Sequence, residues 1–326
     1  MKMMSVLHKK ICWIITDGSA GMENQALGLG EALNYVPILK RVTLRQPWLF
    51  LAPYFRGFKE FCTLQKAELS EPFPPLVIAC GRRSILPALW IKEKSKNISK
   101  VIYLQNPKIS PRHFDAVICP YHDRISGANV FRMTGAPHRI TADHLKQGYD
   151  TFSSLFKSYP TPRYGVLLGG PNKAYILNQK VAHTLIKHLK DLQKQDCASL
   201  LISPSRRTPD EVVSLFKEEF SHTPNVYIWD KMDKNPYFGI LACSDALLLT
   251  ADSVSMISEV CATEKPVYIL PLPGGNQKFI RFHEQLIRFK RAEYFMGKVT
   301  LTPATPFNET NFIAEKIKEF LSLEPS

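Results

Sequence analysis

Short apolar runs alternate with amphipathic stretches along most of the chain, and this alternation predicts an α/β fold. Each run holds only a few residues, mostly Val, Ile and Leu, which is typical of strands buried on both faces of a parallel sheet. The stretches between the runs have helical spacing and supply the crossovers that parallel strands need. Strands are predicted at 11–16, 36–44, 76–80, 100–105, 114–120 and 129–134 in the first half, and at 164–168, 199–203, 225–230, 246–249 and 267–270 in the second.

The two series of strands are separated by a short stretch in which Pro160 and Pro162 interrupt the pattern. Proline-containing stretches of this kind are typical of domain boundaries. We therefore predict a Rossmann-like domain over residues 1–158 and a second one over 163–306. The final segment, 307–326, contains a helix that we expect to pack back on the first domain. The predicted fold class is α/β, with two tandem doubly wound Rossmann-like domains and a cleft between them.

The most informative segment is Asp245–Gly275, whose pattern predicts a strand, a helix and a second strand. Such a unit places the start of its helix at the carboxyl edge of the sheet, where open α/β sheets bind ligands. Asp252, Ser255 and Glu259 share the helix face opposite the apolar one. A carboxylate in the second turn can accept both hydroxyls of a ribose, and amides at a helix start can hold a phosphate. The pattern favours a nucleotide or nucleotide-sugar pocket; the alternative is a helix capped by Asp252 or Ser253 with a solvated Glu259.

Two loops after strands of the second half add glycines and cations to the same predicted edge. The loop GGPNK, 169–173, offers close backbone approach and a lysine, and the loop SRRTP, 205–209, offers two arginines. A diphosphate suits such donors, although basic pairs on a surface are often only solvated. The residues predicted to bind the nucleotide or its phosphates are Gly169, Gly170, Lys173, Ser205, Arg206, Arg207, Asp252, Ser253, Ser255, Met256 and Glu259.

Glycine turns also follow predicted strands in the first half, at Asp17–Gly21 and at Gly81–Ser84. Each joins a strand to a helix, so each is either a plain turn or a loop that holds an acceptor or a phosphate. Asp17 and His122 stand at strand ends and are the candidates for proton transfer; the alternative for His122 is a structural hydrogen bond. We assign the acceptor side to Gly18, Gly21, Asn24, Gln25, Arg82, Arg83, Gln105 and Asn106.

An aromatic stretch, Arg45–Phe61, mixes six aromatic residues with three cations. Rings that bury among lipid headgroups and cations that meet anionic lipid suit a membrane interface. The alternative is a hydrophobic loop that packs on its own domain. The predicted membrane contacts are Trp48, Phe50, Tyr54 and Phe55.

The net charge of +13 is concentrated in the first half. Residues 1–150 carry 21 Lys and Arg against 11 Asp and Glu, whereas residues 151–326 carry 21 against 18. This distribution indicates an anionic partner, such as a membrane surface or a phosphorylated substrate. Nucleic acid is not an expected partner because the chain has no helix-turn-helix, no aromatic RNA-binding signature and no basic tail.

The composition also limits the cellular compartments in which we expect the protein. No apolar run reaches the roughly eighteen residues of a membrane-spanning helix, and the start of the chain reads as a basic leader that runs into a strand, so secretion is not expected. Seven scattered cysteines without a CxxC pair indicate a reducing compartment and argue against a zinc site. We therefore expect a cytoplasmic protein, either free or peripheral on a membrane, with no metal and no required cofactor, and with a nucleotide sugar as its donor substrate.

One segment carries a resemblance to known enzymes. SVSMISEVCATEKPVYILP, 253–271, resembles the donor-binding segment of bacterial lipid-linked glycosyltransferases of the GT-B architecture, such as lipid A disaccharide synthase. That resemblance implies that the helix start, 252–255, holds a diphosphate and that Glu259 holds the ribose. These transferases usually have glycines before the helix, where this chain has Thr250, Ala251 and Asp252. An aspartate there repels a diphosphate unless Arg206, Arg207 or a metal compensates its charge.

A closer resemblance covers nearly the whole chain and points to the elongated-mitochondria family of mitochondrial fission proteins, with its bacterial relatives. Plant members of that family are implicated in recruiting a dynamin-related GTPase to the mitochondrial surface, whereas the bacterial relatives carry a glycosyltransferase-like fold. The resemblance implies either a transferase that moves a sugar to an anionic or membrane-associated acceptor, or a non-catalytic adaptor that recruits a partner to a membrane. It rests on TDGSAGMENQALGLGEAL, IACGRRS, GGPNKAY, SPSRRTP, NPYFGILACSDALLLTADSVSMISE and PLPGGNQKFIRFH.

Overall fold

The protein forms two compact units, each built on its own parallel sheet. The chain leaves the first unit after Arg139, builds the second from Ile140 to Phe307, and returns to the first at Asn308. The computed structural model describes residues 10–51, 54, 63, 66–121 and 123–323.

Within these residues the sheet of the first unit has six strands: β1 (Ile11–Thr16), β2 (Val36–Arg41), β3 (Leu76–Cys80), β4 (Lys100–Leu104), β5 (Ala116–Pro120) and β6 (Val130–Met133). Its first three helices are α1 (Ala20–Ala32), α2 (Trp48–Leu51) and α3 (Ile85–Lys94). The strands are parallel and lie in the order β2-β1-β3-β4-β5-β6. The order reverses between β1 and β3, so the loops after these strands diverge from one point at the carboxyl edge.

The described part of the second sheet also has six strands: β7 (Arg163–Leu168), β8 (Ser199–Pro204), β9 (Val226–Ile228), β10 (Ala246–Thr250), β11 (Val267–Leu270) and β12 (Glu293–Tyr294). Its helices are α4 (Ala142–Phe156), α5 (Gln179–Asp196), α6 (Asp210–Phe220), α7 (Tyr237–Cys243), α8 (Val254–Cys261) and α9 (Gln277–Arg288). The parallel strands lie in the order β12-β11-β10-β7-β8-β9. This order is that of dinucleotide-binding Rossmann sheets, and it reverses between β7 and β10.

The central strands are covered by apolar packing on both faces. Every residue of β3, β8 and β10 is buried. In the first unit, neighbouring residues of β3 belong to different apolar clusters, Val77 to one and Ile78 to the other. Because both faces are apolar, these strands read as uninterrupted hydrophobic runs in the sequence.

Helix α4 belongs to the second unit, because it packs closely along α7. A Cβ atom at Gly148 of α4 would lie 2.6 Å from the carbonyl carbon of Phe238, and a Cβ atom at Gly239 of α7 would lie 2.6 Å from Phe152. Two glycines thus let the helix backbones approach. The division of the chain therefore falls before α4, at 139–140, and not at the prolines near 160 where the sequence pattern put it.

The last helix, α10 (Glu309–Phe320), lies in the first unit and packs against α1. Its Glu309 carboxylate accepts hydrogen bonds of 2.9 Å from the amides of Thr134 and Gly135. The hydroxyl of Thr310 accepts one of 3.1 Å from the amide of His138. The start of α10 is thus fixed to the loop that follows β6.

The predicted fold class of paired doubly wound α/β units is confirmed by the two parallel sheets. Each predicted strand is present, although several end a few residues away from the predicted positions. The pattern does not predict α6, α7 or the two-residue strand β12. Within the described ranges, no helix combines the length and the apolar character needed to cross a membrane.

Candidate functional site

The loops after β7 and β10 are tied together at the point where the order of the second sheet reverses. The amide of Gly169 donates to the hydroxyl of Thr250 at 2.7 Å, and the amide of Gly170 donates to Oδ2 of Asp252 at 3.0 Å. A Cβ atom at Gly169 would lie 2.1 Å from the Asp252 carboxylate, and one at Gly170 would lie 2.2 Å from the Arg207 carbonyl oxygen. Gly169 and Gly170 therefore serve close packing. Their amides are bonded within the protein, and their assignment to phosphate binding stays a prediction.

Asp252 is the centre of this junction, and its side chain is fully buried. Its carboxylate accepts hydrogen bonds from the Gly170 amide, from the Thr250 hydroxyl at 2.6 Å, and from Nη2 of Arg207 at 2.9 Å. Arg207 thus supplies the compensating charge that the sequence required. The carboxylate joins three loops, and the assignment of Asp252 to phosphate binding stays a prediction.

The start of α8 is capped by Ser253, whose hydroxyl accepts a hydrogen bond of 3.3 Å from the amide of Met256. Of the two predicted capping residues, Ser253 therefore has this role. Ser255 lies on the first turn and is half-buried, as is Met256. The amino end of α8 stands at the carboxyl edge of the sheet, directly after β10.

Asn172, which the sequence analysis did not single out, holds the β7 loop in shape. Its Nδ2 donates to the carbonyl oxygen of Asp252 at 3.0 Å, and its Oδ1 accepts from the amides of Ala174 and Tyr175. The amide of Gly275, in the loop after β11, donates to the carbonyl oxygen of Ala174 at 2.7 Å. The loops after β7, β10 and β11 therefore form one connected edge. Asparagine within a GGPN turn was the available signal.

Two cations at this edge are exposed. The side chains of Lys173 and Arg206 form no hydrogen bond or ion pair with the part of the chain that the structure describes. The hydroxyl of Ser205 lies 3.1 Å from the Thr208 hydroxyl and accepts from the amide of Arg207 at 3.2 Å, so it shapes the loop after β8. Adjacent arginines thus differ: Arg207 is part of the scaffold, and Arg206 faces solvent.

Glu259 lies in the second turn of α8 with only 8 % of its surface exposed. The hydroxyl of Tyr237, at the start of α7, donates a short hydrogen bond to its Oε2. Burial, the charge of Glu259 and this hydrogen bond raise the pKa of Tyr237 well above its ordinary value. Tyr237 therefore stays a hydrogen-bond donor near neutral pH. The sequence analysis missed this partnership, which joins residues 22 positions apart on different helices.

In the first unit, the predicted acceptor residues lie in the loops after β1, β3 and β4 and in the first two turns of α1. Gly18 and Gly81 adopt φ angles of +92° and +91°, so both turns need the freedom of glycine. The amide of Ser19 donates to Oδ1 of Asp17 at 3.2 Å. Burial first, and then the charge of Asp17, raise the pKa of the Cys80 thiol, which reflects the proximity of the two loops.

An ion pair that was not predicted lies under the β1 loop. Arg41 binds Glu23 through two hydrogen bonds, of 2.7 and 3.1 Å, and Glu23 is buried. Arg41 ends β2, and Glu23 lies on α1 beside the predicted acceptor-side residue Asn24. Of the other predicted acceptor residues, Gly21, Asn24 and Arg83 are exposed, and Gln25, Gln105 and Asn106 are half-buried.

Within the described residues, the aromatic stretch has one ring packed on its own unit and two that are exposed, and its contact with a membrane stays a prediction. Trp48 packs against the buried pair Leu44 and Leu86 of its own unit, whereas Phe50 and Tyr54 each expose 69 % of their surface. Nη2 of Arg82 donates to the carbonyl oxygen of Phe50 at 2.8 Å, which fixes the backbone there. Two predicted residues, Phe55 and His122, lie outside the described residues.

Comparison with known proteins defines the family and the fold. The family model for mitochondrial fission ELM1 matches residues 20–321. The chain is 30 % identical to the mitochondrial fission protein ELM1 of Arabidopsis thaliana over 81 % of this chain and 68 % of that one. It is 29 % identical to an uncharacterized protein of Rickettsia prowazekii (strain Madrid E) over 96 % of this chain and 99 % of that one.

Solved structures with the same architecture include sugar-nucleotide epimerases. The UDP-GlcNAc 2-epimerase of Methanocaldococcus jannaschii, in complex with UDP-GlcNAc and UDP, aligns with a TM-score of 0.57 at 13 % identity, over 97 % of this chain and all of that one. The enzyme of Neisseria meningitidis, bound to UDP-GlcNAc, aligns with a TM-score of 0.53 at 16 % identity over similar lengths. These alignments confirm the GT-B-like fold. On the evidence of its sequence match, the chain belongs to the mitochondrial fission ELM1 family.

Proposed function

We propose that the second unit binds a nucleotide sugar at the edge formed by the loops after β7, β8 and β10, and that the protein transfers the sugar to an acceptor held by the first unit. The observation that carries this proposal is the buried carboxylate of Glu259, held by Tyr237 next to the point where the strand order reverses. Carboxylates are rarely buried without a strong partner or a task.

Glu259 has the chemistry to hold a ribose. An ionised carboxylate offers about four lone-pair directions, and the Tyr237 hydroxyl takes one of them on Oε2. The ribose diol presents two donors, and a carboxylate is an acceptor that suits them. In a partly desolvated setting each such bond is stronger than it is in water, so the site discriminates for a diol.

The phosphates are assigned to the two exposed cations and to the start of α8. Lys173 and Arg206 follow β7 and β8, and they belong to the same edge as the amino end of α8. Helix starts attract anions because their amide dipoles sum there, and cations add charge-assisted hydrogen bonds. Asp252 does not oppose this arrangement, since Arg207 neutralises it and both are bound within the scaffold.

The solved structures of the same fold support this reading, since two of them hold UDP-GlcNAc. Epimerases share the architecture, so the fold alone does not distinguish sugar transfer from epimerisation. Our choice of sugar transfer depends on the residues of the acceptor side. There we assign Asp17 as the base and Arg83 as a contact to an anionic acceptor. Exposed Phe50 and Tyr54 suit an acceptor that resides in a membrane.

The test is a thermal-shift screen of the purified protein against uridine-, guanosine-, adenosine- and cytidine-linked sugars. A ligand at a hundred times its Kd stabilises the native state by about 2.7 kcal/mol, a rise of roughly 5–10 °C for a unit of this size. Glu259→Gln should reduce the rise to about half or less at the same ligand concentration. The exposed Glu218 on α6 gives the matched control, and Glu218→Gln should retain it. No rise with any donor would contradict the proposal.

A second candidate function is an adaptor that recruits a partner to a membrane without catalysis. The observation that favours it is the exposure of Phe50 and Tyr54 in a chain of the mitochondrial fission family. The two functions separate by mutation in a cell-based assay of the protein's role. Loss of function in Phe50→Ser with Tyr54→Ser, and full function in Glu259→Gln with Arg206→Ala, would support the adaptor and exclude the transferase.

A further inference from the structure

We propose that the second unit docks on an anionic lipid surface through the outer face of α9, the edge strand β12 and the turn that follows this strand. These elements lie within residues 277–301, and we call their exposed side the α9–β12 surface. It contains none of the residues assigned to the nucleotide sugar and none of the aromatic stretch of the first unit. The proposal therefore does not depend on the proposed function.

The excess positive charge of the second half of the chain lies in these residues. Residues 277–301 contain six Lys and Arg against two Asp and Glu. Since residues 151–326 contain 21 against 18, the rest of that half contains 15 against 16. Arg291 is buried. The other five cations are exposed and form no hydrogen bond or ion pair with described residues: Lys278, Arg281, Arg288, Lys290 and Lys298. Their charge is available to an anionic partner.

The outer face of α9 presents two of these cations together. Phe282 and Leu286 are buried and hold the helix on its unit. Arg281 and Arg288 lie on the solvent side, seven residues apart, which places them within about 20° of each other around the axis and about 10 Å apart along it. Glu284 is exposed on the same face, which keeps a net positive charge. Both arginines can therefore reach one flat surface.

Strand β12 continues this face at the side of α9. The ring of Tyr294 lies edge-on to that of His283, with centroids 5.9 Å apart, and its hydroxyl is 3.2 Å from Nδ1 of His283. In the turn after the strand, Met296 exposes 86 % of its surface, and Gly297 adopts a φ angle of +88°. Lys298 is exposed beside them. An apolar side chain that projects next to a cation suits insertion among anionic headgroups.

A lipid surface fits this arrangement better than a protein partner or a second copy of the chain. The exposed apolar side chains project one at a time, at Ile280, Phe289 and Met296, whereas peptides bind in grooves or along sheet edges. The edge strand β12 has only two residues, too few to pair with a peptide strand. In a symmetric contact between two copies, the same cations would face each other and repel.

The experiment measures sedimentation of the full chain with vesicles of phosphatidylcholine and phosphatidylglycerol in equal parts, and with vesicles of phosphatidylcholine alone. Binding should require the anionic lipid and weaken as salt is added. A cation near an anionic bilayer contributes about fivefold to the affinity, so Arg281→Gln with Arg288→Gln should weaken binding about 25-fold. Met296→Ser should weaken it by about fivefold through loss of apolar burial.

The matched control is Lys180→Gln with Lys187→Gln, which removes the same charge from exposed positions of α5 in the same unit. It should change the affinity by less than about twofold, because these lysines lie outside the α9–β12 surface. All the substituted side chains are exposed, and equal melting temperatures of the variants verify that they fold.

Four results would overturn the proposal. The first is a wild type that does not bind the anionic vesicles. The second is equal weakening by the α5 pair and the α9 pair, which would attribute binding to net charge alone. The third is loss of binding in Phe50→Ser with Tyr54→Ser but not in the α9 pair, which would assign the lipid to the aromatic stretch. The fourth is binding to polyglutamate in place of vesicles, which would indicate an acidic protein partner.

Discussion

Arg207 and Asp252 form an ion pair in which the two partners have unequal environments. Nη2 of Arg207 lies 2.9 Å from Oδ2 of Asp252, and the arginine side chain is 47 % exposed whereas the aspartate side chain is fully buried. The pair spans the loops after β8 and β10. Because the buried carboxylate also accepts from Gly170 and Thr250, the geometry of the whole edge depends on it.

We expect Arg207→Ala to lower the free energy of unfolding by about 2 kcal/mol, since it leaves a buried carboxylate without its cation; the exposure of the arginine keeps the cost below that of a fully buried pair. The neighbouring Arg206→Ala should change stability by less than about 0.5 kcal/mol, because that side chain is exposed and has no partner in the described chain. Urea unfolding of the second unit measures both.

The effect on nucleotide affinity should rank the two arginines in the opposite order, with Arg206 the more important one. Arg206→Ala should weaken nucleotide diphosphate binding by about tenfold through loss of a charge-assisted hydrogen bond. If Arg206→Ala destabilised the fold as much as Arg207→Ala did, the separation of scaffold and ligand roles at these adjacent arginines would be wrong.

Gly148→Ala should destabilise the second unit by about 2 kcal/mol, because its Cβ atom would lie 2.6 Å from the backbone of Phe238. Helix propensity alone predicts a gain of about 1 kcal/mol for this change, so the two explanations differ in sign. Ser154→Ala, at an exposed position of α4, should be neutral or slightly stabilising. Thermal unfolding of the two variants decides between them.

Stability should fall on the acid side because each unit contains a buried histidine. Burial lowers the pKa of His138 to about 4 and that of His283 to about 4, from an ordinary value of 6.5. Below pH 6.5 the unfolded chain binds a proton that the folded chain does not. The contribution of each histidine to the free energy of unfolding is therefore fully present above pH 6.5. It decreases by about 1.4 kcal/mol per pH unit as the pH falls towards 4.

The measurement is urea unfolding at pH 7 and pH 5, followed separately for the two units. The expected loss is about 2 kcal/mol in each. His283→Gln should remove the pH dependence of the second unit, whereas His188→Gln, at an exposed position of α5, should retain it. If His283→Gln lost as much stability between pH 7 and pH 5 as the wild type, groups other than His283 would be responsible.

Much of the fold follows from the sequence because buried parallel strands read as apolar runs. The boundary near 139 does not, since the amphipathic pattern of α4 shows which face is apolar and cannot show which unit covers it. Only the three-dimensional approach of Gly148 to Phe238 assigns the helix. Helix α7, with seven residues, is too short to display a helical period.

The candidate site was predicted only in part, for a related reason. A glycine loop after a strand indicates that another group packs closely against the backbone. It does not indicate whether that group belongs to the protein or to a ligand. Gly169 and Gly170 pack against Asp252 and Arg207, where a phosphate was expected. Glu259 was identified by its place on α8, whereas its partner Tyr237 lies on another helix and leaves no periodic signal.

We expect Glu309→Ala to destabilise the first unit by about 2 kcal/mol, because it removes the acceptor for the amides of Thr134 and Gly135. Glu319→Ala, at an exposed position near the end of α10, is the matched control and should change stability by less than about 0.5 kcal/mol. Chemical unfolding of the first unit compares them. Equal effects of the two variants would show that α10 is held by its apolar face alone.

The central claim is that Glu259 binds the ribose of a nucleotide sugar. The most direct measurement is the Kd of the best ligand from the thermal-shift screen, determined by titration calorimetry for the wild type, Glu259→Gln and Glu218→Gln. The account predicts micromolar binding to the wild type and to Glu218→Gln, and a Kd raised by about ten- to a hundredfold in Glu259→Gln. Equal affinity of Glu259→Gln and the wild type would contradict it.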